Sequence, residues 1–399
     1  MQRRAFCKLS LVTAAALCSE LSATVFAKQP RDNQPLSPDL FPQKDRLIVH
    51  SDRPPLLESP RSVFRHAITP NSQFFVRWHM PVIPTATNLD TYYLHVHGAV
   101  NKRLYLTVEQ LKKEFTPKEV TAVMQCGGNS RSAFVPTTSG IQWGSGAMGC
   151  ATFKGVALKD ILKRAGLDAN ATWIGLRGGD RAVMSKIEDF QRELKISEIG
   201  DDVIVAYAMN GEEIPFLNGY PLRLIIPGLY ADSWVKMLSD IYVTKEYQPY
   251  FYMDVAYRIP DNSCECELPN ALAKKTKPLE KMNVKSFIGK PCNKEQIALV
   301  DKHLEIEGVA FDGGSGIKEV LISVDGGKHW ERADLQKAAS NYAFHKFSYR
   351  LDLKEKGSLS IMAKAVAHSG EEQPFAHEVL WNHGGYKYNG MDRVTIDVV

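Results

Sequence analysis

Hydrophobic and polar positions change period several times along this chain, and each change marks an element. Gln73-Phe74-Phe75-Val76-Arg77-Trp78-His79 reads as a strand running into a turn at Pro81 and Pro84. Alternation over 92–96 stops at Gly98, a second strand. Residues 107–115 have helical spacing with Thr107 as N-cap, and 158–165 form a short helix closed by Gly166. Residues 119–124, 203–209, 222–226 and 234–244 read as strands, the second ending in the turn Asn210-Gly211 and the third at Pro227-Gly228. The stretch 28–70, rich in Pro, Asp, Asn and Arg, has weak periodicity and reads as an extended arm.

The texture changes after 261–282, where Pro269, Pro278 and Lys274-Lys275-Thr276-Lys277 break the pattern. Beyond it, 304–310, 317–324, 344–351, 359–366 and 394–398 are short alternating strands. Asp312-Gly313-Gly314 and Asp325-Gly326-Gly327 punctuate them, as in a β-sandwich. The expected division is therefore a leader at 1–27, an arm at 28–70, a mixed domain at 71–265, a linker at 266–280 and a sandwich at 281–399.

Composition narrows the class. The 399 residues are 44% hydrophobic and 24% charged, ordinary for a globular protein of two or three domains. Arg3, Arg4 and Lys8 against Glu20 give the first 27 residues +2 of the chain's +4. The remaining +2, without a basic run or stripe, points away from nucleic acid. The leader pairs Arg3-Arg4 with Phe6 and Lys8, then carries an apolar stretch too short to span a bilayer and a cleavage-like Val25-Phe26-Ala27. It resembles a twin-arginine signal. That predicts export of a folded, cofactor-loaded protein to the periplasm, with no membrane span in the mature chain.

Five of the seven cysteines lie beyond the leader: Cys126, Cys150, Cys264, Cys266 and Cys292. None belongs to a Cys-x-x-Cys-His run, so no c-type haem is expected in this chain. Cys150 reads as core. Cys264 and Cys266 are one residue apart, a spacing that strains a direct bond. A bond from one of them to Cys292 and unpaired exposed thiols are the two readings left open. Cys126 opens Cys126-Gly127-Gly128-Asn129-Ser130-Arg131 after a strand. Glycines and a nearby cation favour an accessible thiolate, so the local residues allow a packed thiol, a nucleophile or a ligand to a soft metal.

The order of motifs goes further. Cys126 to Arg131 resembles the Cys-Ala-Gly-Asn-x-Arg loop of the sulfite oxidase family, with Gly127 where Ala is usual. Phe75 to His79 resembles that family's Phe-Val-Arg-x-His segment, and Ala206 to Gly211 its Ala-Tyr-x-Met-Asn-Gly turn. Tyr220-Pro221-Leu222-Arg223, Pro227-Gly228 and Ser233-Trp234-Val235-Lys236 follow in the family's order, and 308–330 is similar to its C-terminal dimerisation domain. The resemblance runs from about residue 71 to the end. It implies an α+β architecture, a mixed α/β molybdopterin-binding domain followed by an immunoglobulin-like sandwich. It also implies molybdenum on one molybdopterin, with Cys126 as the protein ligand.

By the same resemblance, Arg77 and Arg131 face the metal and suit the oxygens of a small dianion. Trp143 walls the pocket, and Tyr257 points its hydroxyl at the metal, with Tyr252 and Tyr250 as alternatives. His79 is expected on the strand face of Arg77, orienting it and touching the pterin. Phe75, Val76, Arg77, Trp78, His79, Asp180, Asn218, Arg223, Ser233, Trp234, Val235 and Lys236 are expected around the cofactor. Asn218 stands where animal members have His. The implied reaction is sulfite to sulfate, with electrons leaving singly to an external c-type cytochrome. The implied assembly is a homodimer through the sandwich or a heterodimer with a haem subunit. A molybdenum-dependent reductase of protein methionine sulfoxide and a non-enzymatic binding protein are the competing readings.

Overall fold

A computed structural model describes residues 36–399; the leader, with its expected signal, lies outside the described residues. The core of the first half is built on the antiparallel hairpin of β6 (Pro117–Gln125) and β7 (Met148–Ala157), in register from Pro117 opposite Val156 to Gln125 opposite Met148. Strand β10 (Ile204–Met209) pairs with β7 and with β12 (Arg223–Ile225), closing a five-stranded sheet. A second, mixed sheet has the order β5 (Leu104–Leu106), β4 (Leu94–Gly98), β13 (Asp240–Thr244), β8 (Trp173–Arg177) and β9 (Gln191–Lys195). Its β4–β13 pair is parallel and the rest antiparallel.

The two helices expected from spacing are present. Val108–Glu114 begins at Thr107, whose side chain accepts from Gln110 N while the Gln110 side chain accepts from Thr107 N. Leu158–Ala165 buries positions 158, 161, 162 and 165, one stripe at helical spacing, and ends at Gly166 with φ +67°.

Two expected strands fail for physical reasons, and one strand was not expected. Residues 73–79 are not one strand: a 3₁₀ turn covers Asn71–Gln73 and only β3 (Val76–Arg77) is extended and paired. Residues 234–244 form a strand only from Asp240, because Met237 takes φ +48° and folds Lys236 inward. Gly178 permits this, since a Cβ there would lie 1.9 Å from the Lys236 carbonyl. The long strand β7 escapes sequence reading because it is buried on nearly every residue and so lacks alternation. The arm also holds structure: β1 (Ile48–Asp52) and β2 (Pro55–Glu58) pair and carry β3 as a third strand.

Residues from Lys285 onward form a two-sheet sandwich of four and five strands around an aliphatic core including Val284, Ile306, Val320, Ile361 and Val394. Its long strands His303–Phe311, Ile317–Ser323, His345–Asp352, Gly357–Ala367 and Asp392–Val398 match the alternating segments, and Lys285–Lys290 joins them. Before it, Cys264 is bonded to Cys266, which corrects the expectation that one intervening residue disfavours that pairing; Cys292 is exposed and free. Glu265 between them adopts φ +51°, the reversal that brings the two sulfurs together. Among the described residues no helix is long and apolar enough to cross a membrane.

Candidate active site

Cys126 sits one residue past β6, where the chain leaves the sheet and turns back: its N–H bonds the Ala147 carbonyl, and its carbonyl accepts from Asn129 N. The turn needs space at Gly128, where a Cβ would fall within 2.3–2.7 Å of the Arg131 guanidinium, whereas one on Gly127 would meet only the end of the Leu279 side chain, 2.3 Å from Cδ2. Asn129 Oδ1 accepts from Ala147 N and ties the loop to β7. Burial pushes the Cys126 thiol up, and the guanidiniums of Arg77 and Arg131 oppose it.

Two cavities meet at Cys126. The inner one is lined by Phe75, Arg77, His79, Asn218, Arg223 and Trp234, among others, with Lys236 and Tyr257. The outer one, about 600 Å³, opens to solvent and is lined by Arg77, Cys126, Arg131, Trp143, Tyr257 and Tyr386. Arg77, Cys126 and Tyr257 thus belong to both.

His79 lies past the end of β3 and does not bond Arg77, as the strand reading expected. Instead Nδ1 lies 3.3 Å from Asp180 Oδ2 and Nε2 lies 2.6 Å from the Tyr257 hydroxyl. Burial pushes Asp180 up, but Lys236, at 2.8 Å, and His79 hold it well below the usual carboxylate range. An ionised carboxylate only accepts, so Nδ1 carries the hydrogen and Nε2 accepts the Tyr257 O–H. Burial and the charge of Arg77 keep the His79 imidazole neutral. Tyr257 is the tyrosine in the cavity. Tyr252 meets His79 edge-on at 5.3 Å, and Tyr250 lies against Gly175.

The inner cavity is rich in buried cations. Arg223 Nη1 donates to the Asn218 carbonyl, its Nε has no partner, and burial lowers its pKa to about 9. Lys236 pairs with Asp180, and Lys44 reaches in from the arm. Lys44 Nζ donates to Asn218 Oδ1, Asn71 O and Phe74 O, all neutral, and burial followed by Arg223 lowers its pKa to about 7. Asp232, the buried carboxyl on the wall of this cavity, is paired with Arg192 at 2.9 Å. Arg77, Arg223 and Lys236 on the cavity wall, with Lys44 behind Asn218, therefore have one carboxylate between them, Asp180, which is already paired with Lys236. That excess, with an orphaned guanidinium N–H, fits a phosphate-bearing ligand.

Several expected cofactor residues turn away. Val76 and Trp78 pack into the arm core with Leu47 and Leu57, and Trp78 Nε1 bonds the Leu217 carbonyl. Alternation along the extended chain sends them opposite to Phe75 and Arg77. Val235 is buried in the main core, and Ser233 lines a different cavity beside Arg192. Asp180 stands behind His79 and Lys236 and positions both.

At the outer mouth, Arg131 donates from Nε to the Gly384 carbonyl and from Nη1 to the Ile141 carbonyl, with its guanidinium 5.4 Å from the Tyr386 ring centre. Tyr386 in turn stacks on Tyr257 at 5.6 Å. Sequence reading missed Lys44 and Tyr386, which carry no local motif.

Comparison with known proteins shows the family. Residues 79–252 match the "Oxidoreductase molybdopterin binding domain" and 276–399 the "Mo-co oxidoreductase dimerisation domain", which makes the chain a molybdopterin-dependent oxidoreductase with a dimerisation module. Sulfite oxidase of Gallus gallus is 30% identical over 387 residues, covering 92% of this chain and 81% of that one. The mitochondrial enzyme of Mus musculus is 30% identical over 406 residues, covering 95% and 69%. The chain belongs to the sulfite oxidase family, and its cofactor is molybdenum on molybdopterin. An NADH nitrate reductase of Spinacia oleracea is 28% identical over 377 residues, covering 87% of this chain and 39% of that one. The sulfane dehydrogenase SoxCD of Paracoccus pantotrophus shares the fold, with TM-score 0.73 at 23% identity over 88% of both chains.

Proposed function

We propose that this protein oxidises sulfite to sulfate, and the observation that carries the reading is the outer cavity, where Arg77 and Arg131 flank the path to the Cys126 thiol. When bound, the molybdenum cofactor supplies the two-electron oxidising centre. Cys126 is its protein ligand, and metal binding favours the thiolate that burial alone disfavours. Arg223, Lys236 and Lys44 hold the phosphate by charge, with Phe75, His79, Asn218 and Trp234 around the pterin. Arg77 and Arg131 neutralise the substrate dianion and orient it, which lowers the entropic cost of reaction. Tyr257 directs its proton at His79, so its oxygen keeps its lone pairs toward Arg77 and the cavity.

The leader supports export by the twin-arginine route to the periplasm. There a c-type cytochrome is the proposed acceptor, and the dimerisation module supports pairing of two copies or docking of a haem subunit. The sulfoxide-reductase alternative expects no sandwich, and one spans the C-terminal third.

The test is a steady-state assay of molybdenum-loaded protein with sulfite and cytochrome c. We expect turnover that Cys126→Ser abolishes and Arg77→Ala impairs. Nitrate, with a reduced viologen as donor, is the control suggested by the nitrate reductase relatives. Turnover of nitrate or of a sulfoxide without turnover of sulfite would remove the proposal.

A further inference from the structure

The solvent face of the mixed sheet carries a second constellation. Leu94-His95-Val96-His97 alternates, with Leu94 and Val96 in the core and both imidazoles outward. Across the parallel β4–β13 pair Asp240 stands opposite His95, and Arg177 of β8 stands beyond Asp240. The two imidazoles stack 4.1 Å apart at 9°, and Tyr105 stacks on the other face of His95 at 4.3 Å. His95 is thus held between two rings.

The polar atoms are not bonded to one another. Asp240 Oδ1 lies 3.9 Å from His95 Nδ1 and 3.8 Å from His97 Nε2, too far for hydrogen bonds. His95 Nε2 is buried with no partner. Neighbouring ligands of a tetrahedral ion with bonds of ~2.1 Å lie about 3.4 Å apart and each lone pair lies in its ring plane, so one imidazole has to turn out of the stack for the three atoms, now within 4.8 Å of one another, to converge. The other oxygen, Oδ2, accepts from Ser239 Oγ at 2.8 Å and lies 3.5 Å from Arg177 and from Arg181. These contacts orient the carboxylate and leave Oδ1 to the imidazoles, as outer partners do around ligating carboxylates. Both guanidiniums also lie 3.5 Å from Asp189, which balances part of their charge.

We propose that His95, His97 and Asp240 form a three-ligand site for a divalent first-row ion of the zinc–copper class, with its outward position open to water or an external donor. Two imidazoles and one carboxylate select that class over calcium or magnesium, which take oxygen ligands. The His-x-His strand fixes two ligands on one face, and the parallel register fixes the third.

The test is calorimetric titration of the molybdenum-loaded, chelator-washed protein with ZnCl₂, in a Cys292→Ser background that removes the exposed thiol. Copper(II) paramagnetic resonance on the same protein provides a second readout. We expect one zinc per chain and a copper signal with nitrogen hyperfine structure. His95→Ala and His97→Gln should each weaken zinc by more than the ~10–100-fold typical of losing an outer partner, and lose the nitrogen structure. Asp240→Asn, nearly isosteric, should weaken it with an unchanged unfolding midpoint, which keeps the test valid if a histidine variant misfolds. No heat with the parent protein, or unaltered binding in Asp240→Asn and the His95→Ala/His97→Gln double variant, would overturn the proposal.

Discussion

The inner and outer cavities share Arg77, Cys126 and Tyr257 yet treat charge in opposite ways. Inside, Lys44 and Arg223 are buried against neutral acceptors, and their charged forms are held at a cost. Outside, Arg131 is already satisfied by two carbonyls and a ring face. The inner cavity is thus incomplete until an anion fills it, whereas the outer one is complete and waits for a transient guest. Tight retention follows from leaving cations unpaired, and turnover follows from pairing them partly with the protein.

The sharpest break in that comparison is Cys126→Ser. It should reduce molybdenum content, read by elemental analysis, and bring sulfite turnover to background, while the purified protein stays folded. Next, Arg77→Ala should lower kcat/KM by roughly 10²–10³-fold, the scale for a charge-stabilising donor in a desolvated site. Arg131→Ala should cost only about tenfold, mostly in KM, because the guanidinium is shared with the protein. Equal losses in the two variants would erase the distinction between the cavities. Tyr257→Phe, which unpairs His79 Nε2, should lower kcat a few-fold (roughly 1 kcal/mol for a hydrogen bond) with little change in cofactor content.

Lys44→Met tests the inner cavity with two readouts of opposite sign. Pterin retained after gel filtration should fall, yet the cofactor-free protein should melt higher at neutral pH. The Lys44 pKa falls to about 7 in the folded state, below its unfolded value, so protonation favours the unfolded chain. Lys44 therefore costs nothing at high pH. Its penalty grows as pH drops from about 10 and is complete below about 7, and Lys44→Met should flatten that part of the stability curve. The smallest effect is expected of Gly127→Ala. Its Cβ meets the end of the Leu279 side chain, which can rotate, so unfolding should shift by about 1 kcal/mol or less.

What was legible in the sequence was whatever had a local signature. The Cys126–Arg131 loop, both short helices and the sandwich strands all announce themselves by spacing, caps or glycine turns. Strand β7 lacked alternation because it is buried on both faces, and the 234–244 segment hid a left-handed residue at Met237. Lys44 was illegible for another reason. It lies 174 residues from Asn218, in an arm without periodicity, and its importance arises only from what it faces. The run 75–79 mixes cavity and core residues because extended chain points alternate side chains away, as Val76 and Trp78 show.

The thread from Arg131 to Gly384 crosses 253 residues, and the Lys387 amide reaches back to the Gly127 carbonyl. The C-terminal sandwich therefore forms part of the doorway, besides offering a surface for pairing. A chain truncated after residue 280 would lose the wall that aims Arg131. A chimera carrying a relative's sandwich would inherit that relative's mouth. Substrate entry is consequently written in part into the stretch 383–388, inside the segment that matches the dimerisation module.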